Sequence, residues 1–479
     1  MKARRLPQST PYDPAEDPPA SIDPLGTVTG AEQLAEVLLP GLTARMWRVR
    51  LLTFSALVAE VSKRVAAGRD DRLVDARLAF ERLFVSAIAR QEGRDATWRK
   101  ASRRLPGIGL AKQALYAGDQ PLQRANFLKG QGVNGPFGVI SRLARDIGVV
   151  DEAGELERAG NELLLAWADD QGLSGLLDEN AGSEGANWLR RFVRQVTSFL
   201  DEDHGWPGKN WSGWVDLAEK LRLDEIGPRE RRVIKKLLSY DPLGIRDFVI
   251  HRLAEPGVLS IYRTASPASD RGAVEKEVIV AGLGDTNAMD EVGRTVDVTI
   301  NLIDAYEVLS GLLESVFRGL VWGLTRNNGQ ATRQAVVQDP TLRPFLSQAH
   351  ARIGPAIERF QEKLHWFELD PLACKRDSVD LDRMHKLLED SLAAARGSND
   401  CVSAVMDRHA RVQKEKGKGV WIEEDKQWTL MPGFGDTRDE PVWHDAYLHP
   451  YRVTNIYGML ADLGVVQELG AADGEEENQ

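Results

Sequence analysis

Apolar residues recur along most of this chain at alternating spacings of three and four, the period of a helix with one buried face. The pattern is clearest in Trp47, Leu51, Phe54, Val58, Val61 and Val65, which predicts a helix over 44–66 ended by Gly68. Ala76, Phe80, Leu83, Phe84, Ala87 and Ile88 predict a second over 73–90, so an antiparallel helical pair is expected near the start of the fold. Before that pair, Thr29 and Glu32 have the spacing of a capping box, opening a short helix that Pro40 and Gly41 stop. Similar periodicity predicts helices over 157–169, 216–220, 228–238, 245–253, 352–366, 381–395, 400–414 and 450–463, with the longest run at 292–324. Strand alternation is confined to 420–423 and 428–431, which flank a polar turn and predict one small β-hairpin near the C-terminus. The expected fold is therefore mainly α and multi-helical.

Glycine becomes dense from Gly107 to Gly138, which predicts short elements joined by tight turns. Helices are expected at 121–129 and 136–147, followed by a small hairpin in which Val149, Val150 and Leu156 flank 151–154. That order of helix, turn, helix and wing predicts a winged-helix-like segment over about 118–170. Trp206, Trp211 and Trp214 sit among Gly205, Pro207, Gly208 and Gly213, a loop that needs aromatic bulk to pack. A polar stretch at 265–272 is the expected seam between a helical domain at 29–264 and another at 273–465. Residues 1–28 read as a disordered tail with no apolar leader, and 466–479 as an acidic one.

At 479 residues, with 42% hydrophobic and 28% charged positions, the composition is that of a globular protein of two or three domains. Cys374 and Cys401 alone make neither a disulfide framework nor a zinc site, which suits a reducing cytoplasm, and no apolar run suggests a membrane span. Charge is more informative. The chain carries a net −11, yet 94–145 holds ten Lys and Arg against only Asp95 and Asp119. Clustered cations on an acidic protein attract polyanions, so Arg99, Lys100, Arg103, Arg104, Arg124, Lys129, Arg142 and Arg145 are candidate contacts to a DNA backbone. A second basic group, Arg411, Lys414, Lys416 and Lys418 with Arg408, approaches Trp421 and Trp428. Cations at a helix C-terminus also complement its dipole, an equal account of that group.

No catalytic signature emerges. Val278 to Asp285 imitates a strand entering a dinucleotide-binding loop, but Asn287 stands where the third glycine belongs, and a helix end is the better reading. Gly205 to Asn210 lacks the spacing and hydroxyl of a phosphate loop. His444 and His449 lie five apart, not at the three or four that puts two ligands on one helical face. Glu424, Asp425 and Lys426 match a nuclease motif in letters, but at a hairpin turn. No catalytic residue, metal ligand or cofactor is assigned.

Asp23-Pro24-Leu25-Gly26, then Leu38 to Thr43 running into Arg48 to Phe54, resembles the opening of uncharacterised bacterial proteins encoded in phage-defence islands. The stretches Arg408 to Gln413, Gly417 to Trp421 and His449 to Val453 extend the resemblance over a quarter of the chain. It implies a setting, antiviral defence in the bacterial cytoplasm alongside ATPase, helicase or nuclease subunits, and carries over no catalytic motif. The expected role is a non-catalytic subunit that contacts DNA backbone and docks partner proteins. Two other readings stay open: a metal-dependent nuclease centred on Glu424 and Lys426, and a structural scaffold whose basic patch meets an acidic protein.

Overall fold

A computed structural model describes residues 23–67, 70–178, 182–201, 205–265, 270–284, 290–373, 379–433, 440–444 and 446–466. The expected tails at 1–28 and 466–479 and the seam at 265–272 therefore lie largely outside the described residues. The chain is mainly helical, with one small antiparallel sheet. It divides into two compact units, one built from 39–265 and 452–466, the other from 23–38 and 270–451. Residues 23–38 and 452–466 are thus each part of a unit formed mostly by distant sequence.

In the first unit the helices Leu51–Ala66 and Leu73–Arg94 pack as the expected pair, with the Phe54 and Phe84 rings stacked at 4.3 Å. A helix that periodicity analysis did not find, Glu184–Asp201, lays Trp188, Leu189, Phe192 and Val196 against them. Trp206 and Trp211 pack on Trp214, whose indole N–H donates to the Gly208 carbonyl at 2.9 Å, so the glycine-rich loop closes on aromatic bulk. Gly213 has to be glycine, because a Cβ there would lie 2.3 Å from the Trp211 ring.

Three expectations in this unit need correction. The helix expected over 44–66 begins only at Leu51, because the Asn455 side chain takes the carbonyls of Ala44 and Met46 at 2.8 and 3.2 Å and the backbone before Leu51 turns by i to i+3 bonds. No helix spans 121–129. The Asn126 side chain accepts from the Gln123 N–H and donates to the Pro121 carbonyl, the local competition that disfavours helix, and one 3-10 turn, Arg124–Asn126, remains. The wing is a single antiparallel bridge, Val150 to Leu156, between the helices Pro136–Asp146 and Arg158–Asp170.

Fully buried Glu81 holds the glycine-dense stretch on the helical pair. Its carboxylate accepts from the Gln131 amide and the Phe137 N–H, both at 2.7 Å, which caps Pro136–Asp146 from outside its own sequence. A Cβ on Gly135 would come within 2.4 Å of that carboxylate. Burial pushes the Glu81 carboxyl up to about 7.

The second unit is organised on Glu291–Arg326, which packs along Leu342–Leu369 and is covered by Thr27–Leu38 and Ser398–Glu415. By length and hydropathy Glu291–Arg326 would cross a membrane, but most of it is buried inside the unit, where it carries Asp304, Glu307 and Glu314. Leu342–Leu369 starts ten residues earlier than expected and passes through Pro355, its continuity supplied by a buried face that includes Phe345, Ile353, Phe360 and Phe367. The hairpin forms from Ile422–Glu424 and Trp428–Leu430, and Gln330–Ala331 adds an unexpected third strand on the far side of Trp428–Leu430. Val278–Leu283 continues the helix Arg271–Glu277 as a π-helical turn and stops at Gly284, so its glycines do not follow a strand. Asp285 and Asn287 lie outside the described residues.

Arg50 and Glu230, 1% and 0% exposed, form a two-pronged ion pair at 3.0 and 2.9 Å, and the Thr53 hydroxyl donates to Glu230 at 2.6 Å. Glu230→Ala strands the Arg50 charge in the core and is expected to cost about 3–5 kcal/mol, read from the urea midpoint. A loss below about 1 kcal/mol, the scale of an exposed pair, would show that the contact does not hold the unit together.

Candidate functional sites: a cationic corner and a buried polar lock

The ten cations of 94–145 separate into two classes. Leu73–Arg94 ends where Asp95 turns the chain, its carboxylate accepting from the Thr97 N–H and hydroxyl at 2.9 and 2.8 Å. Trp98 is buried, with the Arg222 guanidinium 4.6 Å above its ring, and the single turn Arg99–Ser102 follows. Arg94, Arg99, Lys100 and Arg104 are exposed around this corner and Arg103 is half-buried. Arg104 has a left-handed backbone, φ 59°, and its guanidinium stacks 3.6 Å over Trp47. The corner therefore carries five cations within eleven residues, and the one acid in that stretch, Asp95, is exposed and hydrogen-bonded to Thr97.

Three of the remaining cations face carboxylates from outside the segment. Lys112 meets Glu92 at 2.8 Å, Arg145 meets Glu152 at 3.4 Å and Arg124 approaches Asp75 at 3.8 Å. Pro136–Asp146, the expected groove-reading helix, buries Phe137, Val139, Ile140, Leu143 and Ala144. Its outer side shows Arg142, while Asp146 is held by the buried Arg246 guanidinium at 2.7 Å. Lys129 is exposed. The charge excess counted along the sequence thus overstates the surface excess, because Lys112, Arg124 and Arg145 meet acids from outside the segment.

In the second unit the C-terminal basic group is largely occupied with holding the fold. Arg408 and Arg411 share Asp390, at 2.6 and 2.5 Å, and the Lys416 ammonium donates to the Asp23 carboxylate and carbonyl at 2.8 and 3.0 Å. Lys414 is exposed and Lys418 half-buried. Beside them Asp380, Asp382, Arg383 and Lys386 face Arg408, Arg411 and Glu415 across a shallow cleft of about 230 Å³, charges of both signs that match no single ligand charge. At the hairpin, Glu424 accepts from the Trp428 indole at 3.0 Å, and Glu424, Asp425 and Lys426 are exposed.

Some of the stretches that carried the resemblance, 23–26, 408–413 and 417–421, meet in this unit, whereas 48–54 belong to the first. The Arg408 guanidinium donates to the Leu25 carbonyl at 2.8 Å, and the Gln413 amide to the carbonyls of Asp23 and Pro24. His409 Nε2 accepts from the Trp421 N–H at 2.9 Å, so its Nδ1 carries the proton and donates to the Pro24 carbonyl, also at 2.9 Å. Burial holds this imidazole neutral, its pKa pushed down to about 4. Asp23 in turn accepts from the Val28 and Thr29 N–H groups, so it caps Thr27–Leu38 where a capping box from Thr29 was expected.

Next to it, His449 Nδ1 bonds the Glu307 carboxylate and His449 Nε2 lies 3.2 Å from the Thr27 hydroxyl. The order hydroxyl, imidazole, carboxylate has the outline of a nucleophile triad. Proton direction opposes that role. The Thr27 hydroxyl donates to Glu314 at 2.6 Å, so it accepts from Nε2 and is not activated by it. Burial alone would lower His449, but the bonded Glu307 outweighs it and holds the imidazole above its ordinary range. Thr27 is fully buried, and Tyr451 adds a 2.6 Å bond to Glu307. These groups form a lock, not a reactive centre. His444, by contrast, is exposed. Asp304, Glu307 and Glu314 were legible only as acids on the apolar face of a long helix, the one signal that buried partners had to exist.

Among the described residues, no three His, Cys, Asp or Glu side chains come together as a metal site, and burial pushes the Cys401 thiol up to about 12, away from nucleophilic use. No protein-family model, curated protein or solved structure matches the chain.

The neutral His409 fixes a pH response. Its pKa is near 6.5 unfolded and about 4 folded, so its full contribution is present above 6.5 and is lost as pH falls through 4. His409→Ala leaves the Pro24 carbonyl and Trp421 N–H without this partner and should destabilise the second unit at pH 7. The gap between wild type and variant should then shrink by on the order of 3 kcal/mol between pH 7 and pH 4 in denaturant titrations. A gap that stays constant with pH would mean the folded imidazole titrates normally.

Proposed function

We propose that this chain is a non-catalytic component that grips the sugar–phosphate backbone of DNA through the 94–104 corner of its first unit. The observation that carries this reading is the run of five cations at 94–104, of which Arg94, Arg99, Lys100 and Arg104 are exposed, against the single acid Asp95 in the same stretch. Such a surface attracts phosphates through counterion release and needs no base-reading element. A winged-helix reading of 118–170 would add Arg142 and Lys129 as flanking phosphate contacts. Support for binding over chemistry comes from the polar clusters described above, which are either ion-paired at the surface or sealed within the core. The setting, a bacterial antiviral system with ATPase, helicase or nuclease partners docked on the helical second unit, rests on the resemblance of the 23–54, 408–421 and 449–453 stretches.

Charge reversal tests the grip. With Arg94, Arg99 and Lys100 changed to Glu, retention on labelled DNA at low salt should fall sharply. Because each phosphate contact contributes about 0.9 to the slope of log K against log salt, the slope should drop by about 2–3. Binding and slope unchanged in the variant would remove the corner from any DNA contact.

A further inference from the structure

Arg50, Arg90, Arg246 and Arg408 are buried arginines that meet carboxylates, at Glu230, Asp119, Asp146 and Asp390. Arg82 meets none. It lies within Leu73–Arg94, is only 7% exposed, and makes no hydrogen bond or ion pair among the described residues. Its Nε is fully enclosed without a partner, whereas neither Nη is, so the fork of the guanidinium opens to the surface. The Phe199 ring centre lies 5.0 Å from the guanidinium carbon, a contact that attracts a cation but offers it no oxygen. Burial pushes the Arg82 pKa down to about 10.

The neighbouring acids do not supply the missing oxygen. Glu81 is committed to the Gln131 amide and the Phe137 N–H, and Asp75 lies 3.8 Å from Arg124. Both attract Arg82 across space, while Arg124 is near enough to repel it. Arg124 stands on the turn Arg124–Asn126, which the Asn126 side chain fixes through Pro121 and Gln123, and its own side chain is 78% exposed. Arg77, Arg82 and Arg124 thus stand against two acids, of which Glu81 is partly protonated near neutral pH, so the local balance is positive. We propose that the open fork of Arg82 binds a phosphate group, with Arg124 as a second cation at the rim. Parallel N–H donors match two oxygens of one phosphate, and its double charge answers the positive balance better than a lone carboxylate does. The site is separate from the 94–104 corner, since Arg82 and Arg94 are twelve residues apart on one helix, about 18 Å along its axis. It therefore stands independently of the DNA grip, and its phosphate has two sources, a free phosphate compound or a nucleic-acid backbone.

Calorimetric titration of the full chain with inorganic phosphate at constant ionic strength, and anisotropy of labelled duplex DNA, test the site in wild type, Arg82→Met and Arg82→Lys. Saturable phosphate binding is expected, abolished by Met and weakened roughly tenfold by Lys, which keeps the charge and loses the fork. Without phosphate, Arg82→Met should hold or raise the thermal midpoint, because an apolar chain of similar length replaces an unpaired buried charge. A lowered midpoint with phosphate affinity unchanged would make Arg82 a structural residue and overturn the proposal. DNA affinity that falls in both variants, with no binding of inorganic phosphate, would sustain the site and place its phosphate on a nucleic-acid backbone. Phosphate binding without DNA binding would sustain the site and overturn the DNA grip. Affinities for both probes that neither substitution moves, or no binding of either probe, would overturn the site.

Discussion

A guanidinium can be taken out of water only where its N–H groups find oxygens, and three buried arginines meeting that condition tie this chain together. Arg50 reaches Glu230 and the Arg222 carbonyl. Arg246, fully buried, donates to the carbonyls of Leu238, Pro40 and Tyr240 and to Asp146. Arg408 joins the Leu25 carbonyl to Asp390. Each links segments far apart in sequence, and each uses backbone carbonyls outside regular secondary structure. The loops around Pro40, Arg222 and Leu25 are therefore fixed by charge where apolar packing alone would leave polar backbone unpaired.

The same condition explains which charges are available for function. Arg50, Arg246 and Arg408 are held by oxygens in the core, the cations of the second basic group are mostly drawn to Asp390 and Asp23, and the 94–104 stretch sets four exposed cations against one acid, a local excess of positive charge at the surface. Electrostatic reach at a surface depends on that residual excess and not on the count along the chain.

The helices are largely legible in the sequence because a buried stripe enforces its period regardless of what covers it. Glu291–Arg326 and Ile245–Leu253 are examples, their periodic apolar residues running almost from end to end. Boundaries are less legible, since they depend on distant partners. Asn455 takes the carbonyls that would have extended a helix back from Leu51, and Asp23 caps Thr27–Leu38 ahead of the expected start. The strand Gln330–Ala331 is too short to show alternation and exists only because Trp428–Leu430 has a free edge. For the charged surface, the location was legible but the pairing was not, because Asp75, Glu92 and Glu152 lie just outside the window in which the cations were counted. The lock of Thr27, Glu307, Glu314 and His449 is assembled from three regions of sequence, and no local spacing announces it.

The exchange of chain ends between the two units has a consequence for the order of events during synthesis. Thr27–Leu38 is made early, yet the helix beneath it and the clamp from Arg408, His409 and Gln413 are made hundreds of residues later. Conversely, the 39–265 unit is translated almost whole before Val453–Asp462 arrives with Asn455 and Asp462 to satisfy Ala44, Met46 and Arg48. Neither unit can close while the ribosome is still at work on the middle of the chain, so both pass through a period with an uncovered apolar face. Long-range closure of this kind slows folding and prolongs exposure to aggregation, which makes the nascent chain, more than the finished protein, the state most dependent on chaperones.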